Sequence, residues 1–144
     1  FKEEELKEFS ILFLVMNNLD IFRKKIELIS EIDLSNDLMM EFKQELVKYL
    51  ISEKFFDRKK IKLEDFDEKY RKIINLINMN ASVKIISKNK NEGEIISIFY
   101  EIIGEIKKVD LRKKIESLED KVSLNLDEKL YSELLSLRNQ LKGG

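Results

Sequence analysis

The segment from Asn91 to Gly144 constrains the fold of this chain most, because it carries two apolar stripes that point in different directions. The first stripe has helical spacing and consists of Ile95, Phe99, Ile102, Ile106 and Val109. The second stripe consists of Leu111, Ile115, Leu118 and Val122. The step from Val109 to Leu111 is two residues, which turns an α-helix by roughly 200°. We therefore predict one helix that is shared by two subdomains.

Nothing in the sequence interrupts this helix, because the chain contains no proline. Asn91 and Glu94 stand at the spacing of a capping box, so the helix is predicted to begin at Asn91. It can run to about Val122, a length on the order of 45 Å. Gly104 lies inside it and costs roughly 1 kcal/mol relative to alanine, which predicts either close packing with a neighbouring helix or a bend.

A second helix is predicted to follow a turn at residues 123–126. Asp127 is its expected cap, and Leu126 and Tyr131 stand at the spacing of a hydrophobic staple. Its leucines alternate at spacings of four and three residues, as in a coiled-coil seam, and they are Leu130, Leu134, Leu137 and Leu141. This seam matches the second stripe of the long helix and predicts an antiparallel helical hairpin over residues 110–144. Tyr131 and Leu135 fall beside the seam, and Leu124 falls at the tip.

Residues 1–109 are predicted to form a helical bundle. Apolar periodicity places helices at about 2–17, 19–30, 36–52 and 66–78. A short helix is predicted at about 81–87, where Val-Lys-Ile-Ile could also be extended. The second half of the first helix is expected to be the most buried part, and Ser35 and Asp65 are the expected caps of the third and fourth helices. The predicted fold class is all-α, with an N-terminal helical bundle joined by a long shared helix to a C-terminal antiparallel hairpin.

The composition argues against catalysis by this chain. It contains no histidine, the commonest general base and metal ligand, and no cysteine, so neither disulfides nor thiolate metal sites can form. No phosphate-binding loop, dinucleotide-binding turn or metalloprotease motif occurs. The adjacent carboxylates lie on polar helix faces, where solvation explains them. We therefore expect no catalytic residue, no cofactor and no metal.

The charge distribution gives no strongly basic region. Residues 1–91 carry 18 lysines and arginines against 17 acids, and residues 92–144 carry 9 against 11. Basic clusters such as the one at residues 58–62 are interrupted by acids nearby. They fit a solvated surface, with a weak contact to nucleic acid or to an acidic partner as the alternative.

Two further features concern the location and extent of the protein. The longest apolar run, Ile11 to Met16, is too short to span a membrane, and no signal peptide is visible. With the absence of cysteine this predicts a cytoplasmic protein that makes no membrane contact. The chain begins with Phe1 rather than Met, so we expect it to be part of a longer protein.

Two stretches carry a resemblance to a known family. The opening EFSILFLVMNNLDIFRKKIELISEIDLSNDLMMEFKQELVKYL and the ending IIGEIKKVDLRKKIESLEDKVSLNLDEKLYSELLSLRNQLKGG resemble the C-terminal helicase-binding domain of bacterial replicative DNA primase (DnaG). The likeness is one of helix order, pattern and length, and it spans nearly the whole chain. One departure is the turn after the first helix, where the family often has proline and this chain has Asn18-Leu19.

The resemblance implies a non-catalytic interaction domain that binds the N-terminal domain of the replicative helicase (DnaB) and recruits primase to the replication fork. It also implies that the zinc-binding and polymerising domains lie upstream. The hairpin would dock on the helicase, and the bundle would modulate helicase activity. The predicted partner-binding residues are Leu124, Tyr131, Leu135, Arg138, Leu141 and Lys142.

Two other readings remain open from the sequence. The chain could be the N-terminal domain of a replicative helicase or a helicase loader, acting in self-association, whereas the primase reading predicts a monomeric isolated domain. It could also be a helical nucleic-acid-binding module, whose affinity would fall steeply with salt.

Overall fold

The computed structural model describes residues 1–124 and 128–143, and all regular secondary structure in that part of the chain is helical. The α-helices are α1 (Glu3–Asn17), α2 (Leu19–Phe22), α3 (Ile26–Ser30), α4 (Asp37–Ile51), α5 (Glu68–Asn80), α6 (Val83–Ile86), α7 (Glu92–Leu124) and α8 (Glu128–Gly143). Short 3-10 turns occur at Arg23–Lys25, Glu53–Phe55 and Leu63–Asp65. The all-α fold class is as predicted.

The chain divides into two compact units, Phe1–Ile102 and Ile103–Gly144. Helix α7 contributes residues to both units, since it runs from Glu92 to Leu124. The predicted boundary between residues 109 and 110 stays a prediction. It lies where the apolar stripe changes sides, whereas the two units are defined by compactness.

The core of the first unit is built around α1. Its second half is almost completely buried, through Phe9, Ile11, Leu12, Leu14, Val15 and Met16. It packs against α5, α6 and α2. A helix that is apolar on every side needs neighbours on more than one side, and the burial of its second half is as the sequence predicted.

Helix α4 begins one residue later than expected, and a different residue caps it. The Asn36 side chain accepts hydrogen bonds from the backbone N–H groups of Leu38 (2.8 Å) and Met39 (3.2 Å). The predicted cap, Ser35, instead donates its backbone N–H and its hydroxyl to the buried carboxylate of Glu8, at 2.8 and 2.9 Å. The prediction of Ser35 as cap is therefore wrong, because a partner distant in sequence occupies it.

The second predicted helix is interrupted by the 3-10 turn at Arg23–Lys25. Arg23 donates hydrogen bonds to the carbonyl oxygen of Phe55 (2.6 Å) and to the carboxylate of Asp20 (2.8 Å), so it ties this turn to the 3-10 turn at Glu53–Phe55. After the interruption, α3 ends near Lys43, whose buried ammonium group donates to the carbonyl oxygens of Ser30 (3.0 Å) and Ile32 (2.6 Å). The buried cation thus satisfies backbone acceptors at the end of a helix.

Helix α5 begins at Glu68, three residues after the predicted cap Asp65. Asp65 lies in a 3-10 turn, where its carboxylate accepts a hydrogen bond from Tyr49 instead of capping a helix. The apolar stripe of α5 is buried as predicted, through Tyr70, Ile73, Ile74 and Ile77. The pattern therefore identified the helix, whereas a side-chain contact moved its start.

Helix α7 carries the predicted capping box. The Asn91 side chain accepts from the backbone N–H of Glu94 (2.9 Å), and the Glu94 carboxylate accepts from that of Asn91 (3.4 Å). At its other end α7 runs to Leu124, two residues beyond the expected Val122. The predicted cap of the next helix, Asp127, and the staple residue Leu126 lie outside the described residues.

The second unit has an apolar core of its own. Ile115 and Leu118 of α7 and Leu134 of α8 are buried together. Partly buried side chains pack against them, namely Leu111, Val122, Leu130, Leu137 and Leu141. These are the residues of the two predicted seams, and their contacts fit the predicted hairpin.

Gly104 has an open environment. A Cβ atom built on it would meet nothing within 4 Å in the part of the chain that is described, apart from the turn of its own helix. Close packing with a neighbouring helix, one of the two reasons proposed for a glycine here, is therefore wrong. The glycine lowers the helix propensity of α7 without a steric requirement.

Replacing Gly104 by alanine should stabilise the protein. We expect Gly104→Ala to raise the free energy of unfolding by up to about 1 kcal/mol, measured by urea titration with circular dichroism detection. Gly93→Ala is the matched control, since Gly93 lies in the first turn of the same helix and should gain less. Destabilisation by Gly104→Ala would mean that α7 needs glycine for its backbone path.

Candidate protein-interaction surface

The seam within the second unit decides which side of α8 faces outward. Leu134 is buried against α7, and Leu130, Leu137 and Leu141 pack beside it. Because side chains project from an α-helix about every 100°, the residues one position away from the seam lie on its flank. Tyr131 and Leu135 hold those positions and are four residues apart, so they are neighbours on one helix face.

Tyr131 and Leu135 are the large apolar side chains that α8 leaves in solvent. Tyr131 is 52% exposed and Leu135 is 41% exposed. Leu124, at the end of α7, is more exposed than either. Tyrosine offers a large contact area with few rotatable bonds, which makes it a common centre of protein interfaces.

Two basic side chains continue this face. Arg138 and Lys142 follow Tyr131 and Leu135 by seven residues each, and both are exposed. A seven-residue step is close to two helical turns, so the four side chains share one side of α8. We call Tyr131, Leu135, Arg138 and Lys142 the α8 outer face.

Arg138 is engaged within the unit. Its Nη2 donates a hydrogen bond to Oε1 of Glu119 at 2.6 Å, and both side chains are half-exposed. An exposed pair of this kind contributes about 0.2–1 kcal/mol. Arg138 is one of the predicted partner-binding residues, and it can pair with a carboxylate of a partner only by sharing or leaving Glu119.

Leu141 has a different place from the other predicted contact residues. It packs against the cluster of Ile115, Leu118 and Leu134 and is partly buried there. Of the six predicted partner-binding residues, five are exposed, and Leu141 stabilises the unit that presents them. Four of the five form the α8 outer face.

A separate cluster of titratable groups occurs in the first unit. The Tyr49 hydroxyl donates to Asp65 at 2.6 Å, and Arg58 Nε donates to the same carboxylate oxygen at 3.3 Å. The Tyr49 ring lies between Phe55 and Phe66, with centroids 4.1 and 4.9 Å away. Tyr49 and Asp65, but not Arg58, line a cavity of about 260 Å³.

The pKa shifts of this cluster fit a structural role better than a role in proton transfer at neutral pH. Burial raises the pKa of Tyr49 to about 12, and its hydrogen bond with Asp65 acts in the same direction. Burial alone would raise the pKa of Asp65, but hydrogen bonds from Tyr49 and Arg58 outweigh it and lower the pKa below its usual value. Both pKa values move away from neutrality, whereas a general acid or base works best near it.

The structure offers no obvious metal site in the part it describes. Across residues 1–124 and 128–143, no three acidic side chains converge closely enough to hold a metal ion. None of the helices in those ranges has both the length and the hydropathy that a membrane crossing requires.

No protein-family profile matches this chain, and the comparisons with curated proteins and with solved structures found no similar protein. The resemblance to the primase domain therefore stays a prediction. The geometry of the α8 outer face stands independently of it.

Sequence reasoning did not find the Tyr49–Asp65–Arg58 cluster. Its members come from α4 and from the irregular segment before α5, where apolar periodicity gives no information. Phe55 anchors that segment by stacking on Tyr49, whereas the neighbouring Phe56 is more than half exposed. The sequence feature that could have indicated this cluster is the aromatic pair Phe55-Phe56 within a basic segment.

The raised pKa of Tyr49 predicts a loss of stability at alkaline pH. Below pH 10 the tyrosine is protonated in the folded and the unfolded chain, so its contribution is complete. As the pH rises from 10 to 12, the unfolded chain releases this proton first, and the free energy of unfolding falls. We expect a loss on the order of 1 kcal/mol at pH 11.

The measurement is urea unfolding at pH 8 and pH 11 for the natural chain and for Tyr49→Phe. The difference in unfolding free energy between the two proteins should shrink at pH 11, because phenylalanine cannot ionise. Tyr100→Phe is the control for the loss of a tyrosine hydroxyl outside this cluster, since Tyr100 is half-exposed. Parallel pH profiles for the natural chain and Tyr49→Phe would contradict the shift.

Proposed function

We propose that this chain is a non-catalytic protein-interaction domain whose contact surface is the α8 outer face together with Leu124. The observation that carries the proposal is the exposed pair Tyr131 and Leu135 on a helix whose adjacent side is already buried in a core of its own. A helix face of this kind fits a groove or a helix pair of another protein.

The partner we propose is the N-terminal domain of the replicative helicase, DnaB. The support is the resemblance of residues 8–50 and 102–144 to the helicase-binding domain of bacterial DNA primase. In this proposal the chain recruits primase to the replication fork in the cytoplasm, and catalysis resides elsewhere in the primase.

The side chains of the α8 outer face indicate what the binding site on the partner should contain. Tyr131 and Leu135 would supply the buried apolar centre, and Arg138 and Lys142 would pair with acids at the rim. The helicase site should therefore be an apolar depression with carboxylates beside it. Charges at a rim affect association rate and salt dependence more than affinity, so binding should weaken moderately with salt.

Removing the apolar pair should abolish the interaction. Tyr131→Ala with Leu135→Ala is expected to weaken binding to the helicase by more than about 30-fold, because two central side chains are lost. The measurement is a fluorescence anisotropy titration of the labelled chain with the helicase, alongside circular dichroism to verify unchanged helicity.

A control variant matches this change closely. Tyr100→Ala with Leu38→Ala removes a tyrosine and a leucine that are 48% and 39% exposed, both in the first unit. It should bind the helicase as the natural chain does. Normal affinity of the Tyr131→Ala, Leu135→Ala protein would refute the proposed surface.

Freeing Arg138 should strengthen binding. Glu119→Gln removes the charge that holds Arg138 within the unit, so the guanidinium becomes available to a partner carboxylate. We expect a two- to fivefold lower dissociation constant, in line with the about 0.2–1 kcal/mol of an exposed pair. Glu116→Gln is the control, because Glu116 is exposed and lies outside the apolar cluster of the second unit, and it should leave binding unchanged. Weaker binding of Glu119→Gln would indicate that Arg138 acts by bracing the hairpin.

The alternative of a self-associating helicase domain or loader gives a different result. It predicts a stable dimer or ring in sedimentation velocity, whereas the primase proposal predicts a monomer. If a stable oligomer forms and the Tyr131→Ala, Leu135→Ala variant dissociates it, the surface binds a second copy of this chain and not the helicase.

A further inference from the structure

Residues 69–91 differ in charge from the rest of this nearly neutral chain. The stretch lies between Glu68 and Glu92 and contains no acid, although the whole chain has 28. It contains six basic residues, which are Lys69, Arg71, Lys72, Lys84, Lys88 and Lys90. All of it belongs to the first unit.

The same stretch exposes large aliphatic side chains. Ile85 is 85% exposed, Ile86 is 59% exposed, and Met79 is almost as exposed as Ile85. They lie at the end of α5 and on α6, on either side of a tight turn that the buried residues Ala81 and Val83 anchor to the core. We call residues 79–90 the α5–α6 corner.

The lysines around these side chains are largely unpaired. Within residues 1–124 and 128–143, Lys72, Lys84 and Lys88 form no ion pair, whereas Lys90 forms one with Glu94 at 3.6 Å. The corner therefore presents apolar side chains and free positive charge together. Exposed isoleucine beside unneutralised lysine is the combination that a negatively charged, partly apolar surface would complement.

We propose that the α5–α6 corner binds the surface of an anionic lipid bilayer. Met79, Ile85 and Ile86 would enter the boundary between headgroups and acyl chains, and Lys84, Lys88 and Lys90 would lie among the lipid phosphates. Such contact is peripheral and needs no membrane-spanning helix, and it departs from the expectation, drawn from the short apolar run Ile11 to Met16, that the chain makes no membrane contact. It is also separate from the α8 outer face, which belongs to the second unit.

The shape and chemistry of the corner favour lipid over the other polyanions. Single-stranded nucleic acid binds through aromatic rings on which bases stack, and the one aromatic residue of the stretch, Tyr70, is buried. A peptide needs a groove, whereas a side chain as exposed as Ile85 stands clear of its neighbours. A bilayer interface accepts protruding aliphatic side chains and supplies phosphate beside them.

The test is co-sedimentation of the full chain with sucrose-loaded vesicles. One set contains phosphatidylcholine with 30 mol% phosphatidylglycerol, a composition of about one anionic lipid in three. The other set contains phosphatidylcholine alone. We expect at least tenfold stronger partitioning onto the anionic vesicles, falling with added salt because the attraction is screened beyond about 10 Å at 0.1 M.

Two variants separate insertion from charge. Ile85→Ser with Ile86→Ser should lower the partition coefficient roughly tenfold at constant charge, because the buried apolar area is lost. Lys84→Glu with Lys88→Glu should abolish sedimentation. The matched control is Ile51→Ser, which removes an isoleucine of similar exposure, 55%, from the end of α4 and should change nothing. Circular dichroism of each variant verifies folding.

Three results would overturn the proposal. One is equal sedimentation with anionic and neutral vesicles, or none with either. Another is full binding by Ile85→Ser with Ile86→Ser, which would leave the aliphatic side chains without a role. The third is tighter binding to a single-stranded oligonucleotide than to the anionic vesicles, lost in Lys84→Glu with Lys88→Glu, which would identify nucleic acid as the ligand.

Discussion

Burial of Leu134 against Ile115 and Leu118 is the interaction on which the proposed surface depends. These three side chains form the centre of a small apolar core in the second unit. Burying them fixes the rotation of α8 about its own axis, because only one side of an amphipathic helix can face the seam. The orientation of Tyr131 and Leu135 follows from this rotation. Their exposure is therefore a consequence of how the neighbouring leucines pack.

The first unit depends on buried polar groups as well as on apolar packing. Glu8 accepts hydrogen bonds from the segment before α4, and Lys43 donates to the carbonyl oxygens of Ser30 and Ile32 at the end of α3. The partly buried Asp65 holds the segment before α5 to Tyr49. Each group joins a helix to an irregular segment that has few apolar residues of its own. A buried charge is tolerated when its hydrogen bonds are made, and removing one partner would leave the other unsatisfied.

The distribution of charge along this chain indicates binding surfaces, whereas the net charge does not. The net charge is −1, yet the acid-free stretch of residues 69–91 and the basic end of the α8 outer face are both positive. They lie in different units and have different apolar neighbours, namely protruding aliphatic side chains at the α5–α6 corner and a tyrosine–leucine pair on α8. The two proposed surfaces therefore suit ligands of different kinds, a lipid interface and a folded protein.

The amino-acid sequence by itself determined the helices that have strong periodicity and local caps. The stripes of α1, α5, α7 and α8, and the capping box of Asn91 and Glu94, depend only on residues within one or two turns of each other. Tertiary structure decided what depends on partners distant in the chain. Ser35 and Asp65 do not cap helices, because Ser35 is hydrogen-bonded to Glu8 and Asp65 to Tyr49. The second predicted helix is interrupted at Arg23, which donates a hydrogen bond to the carbonyl oxygen of Phe55. A periodic pattern records which face of a helix is buried, but it does not record which distant polar group that face will meet, and the free energy of satisfying a buried polar group exceeds the small preferences that set a helix end.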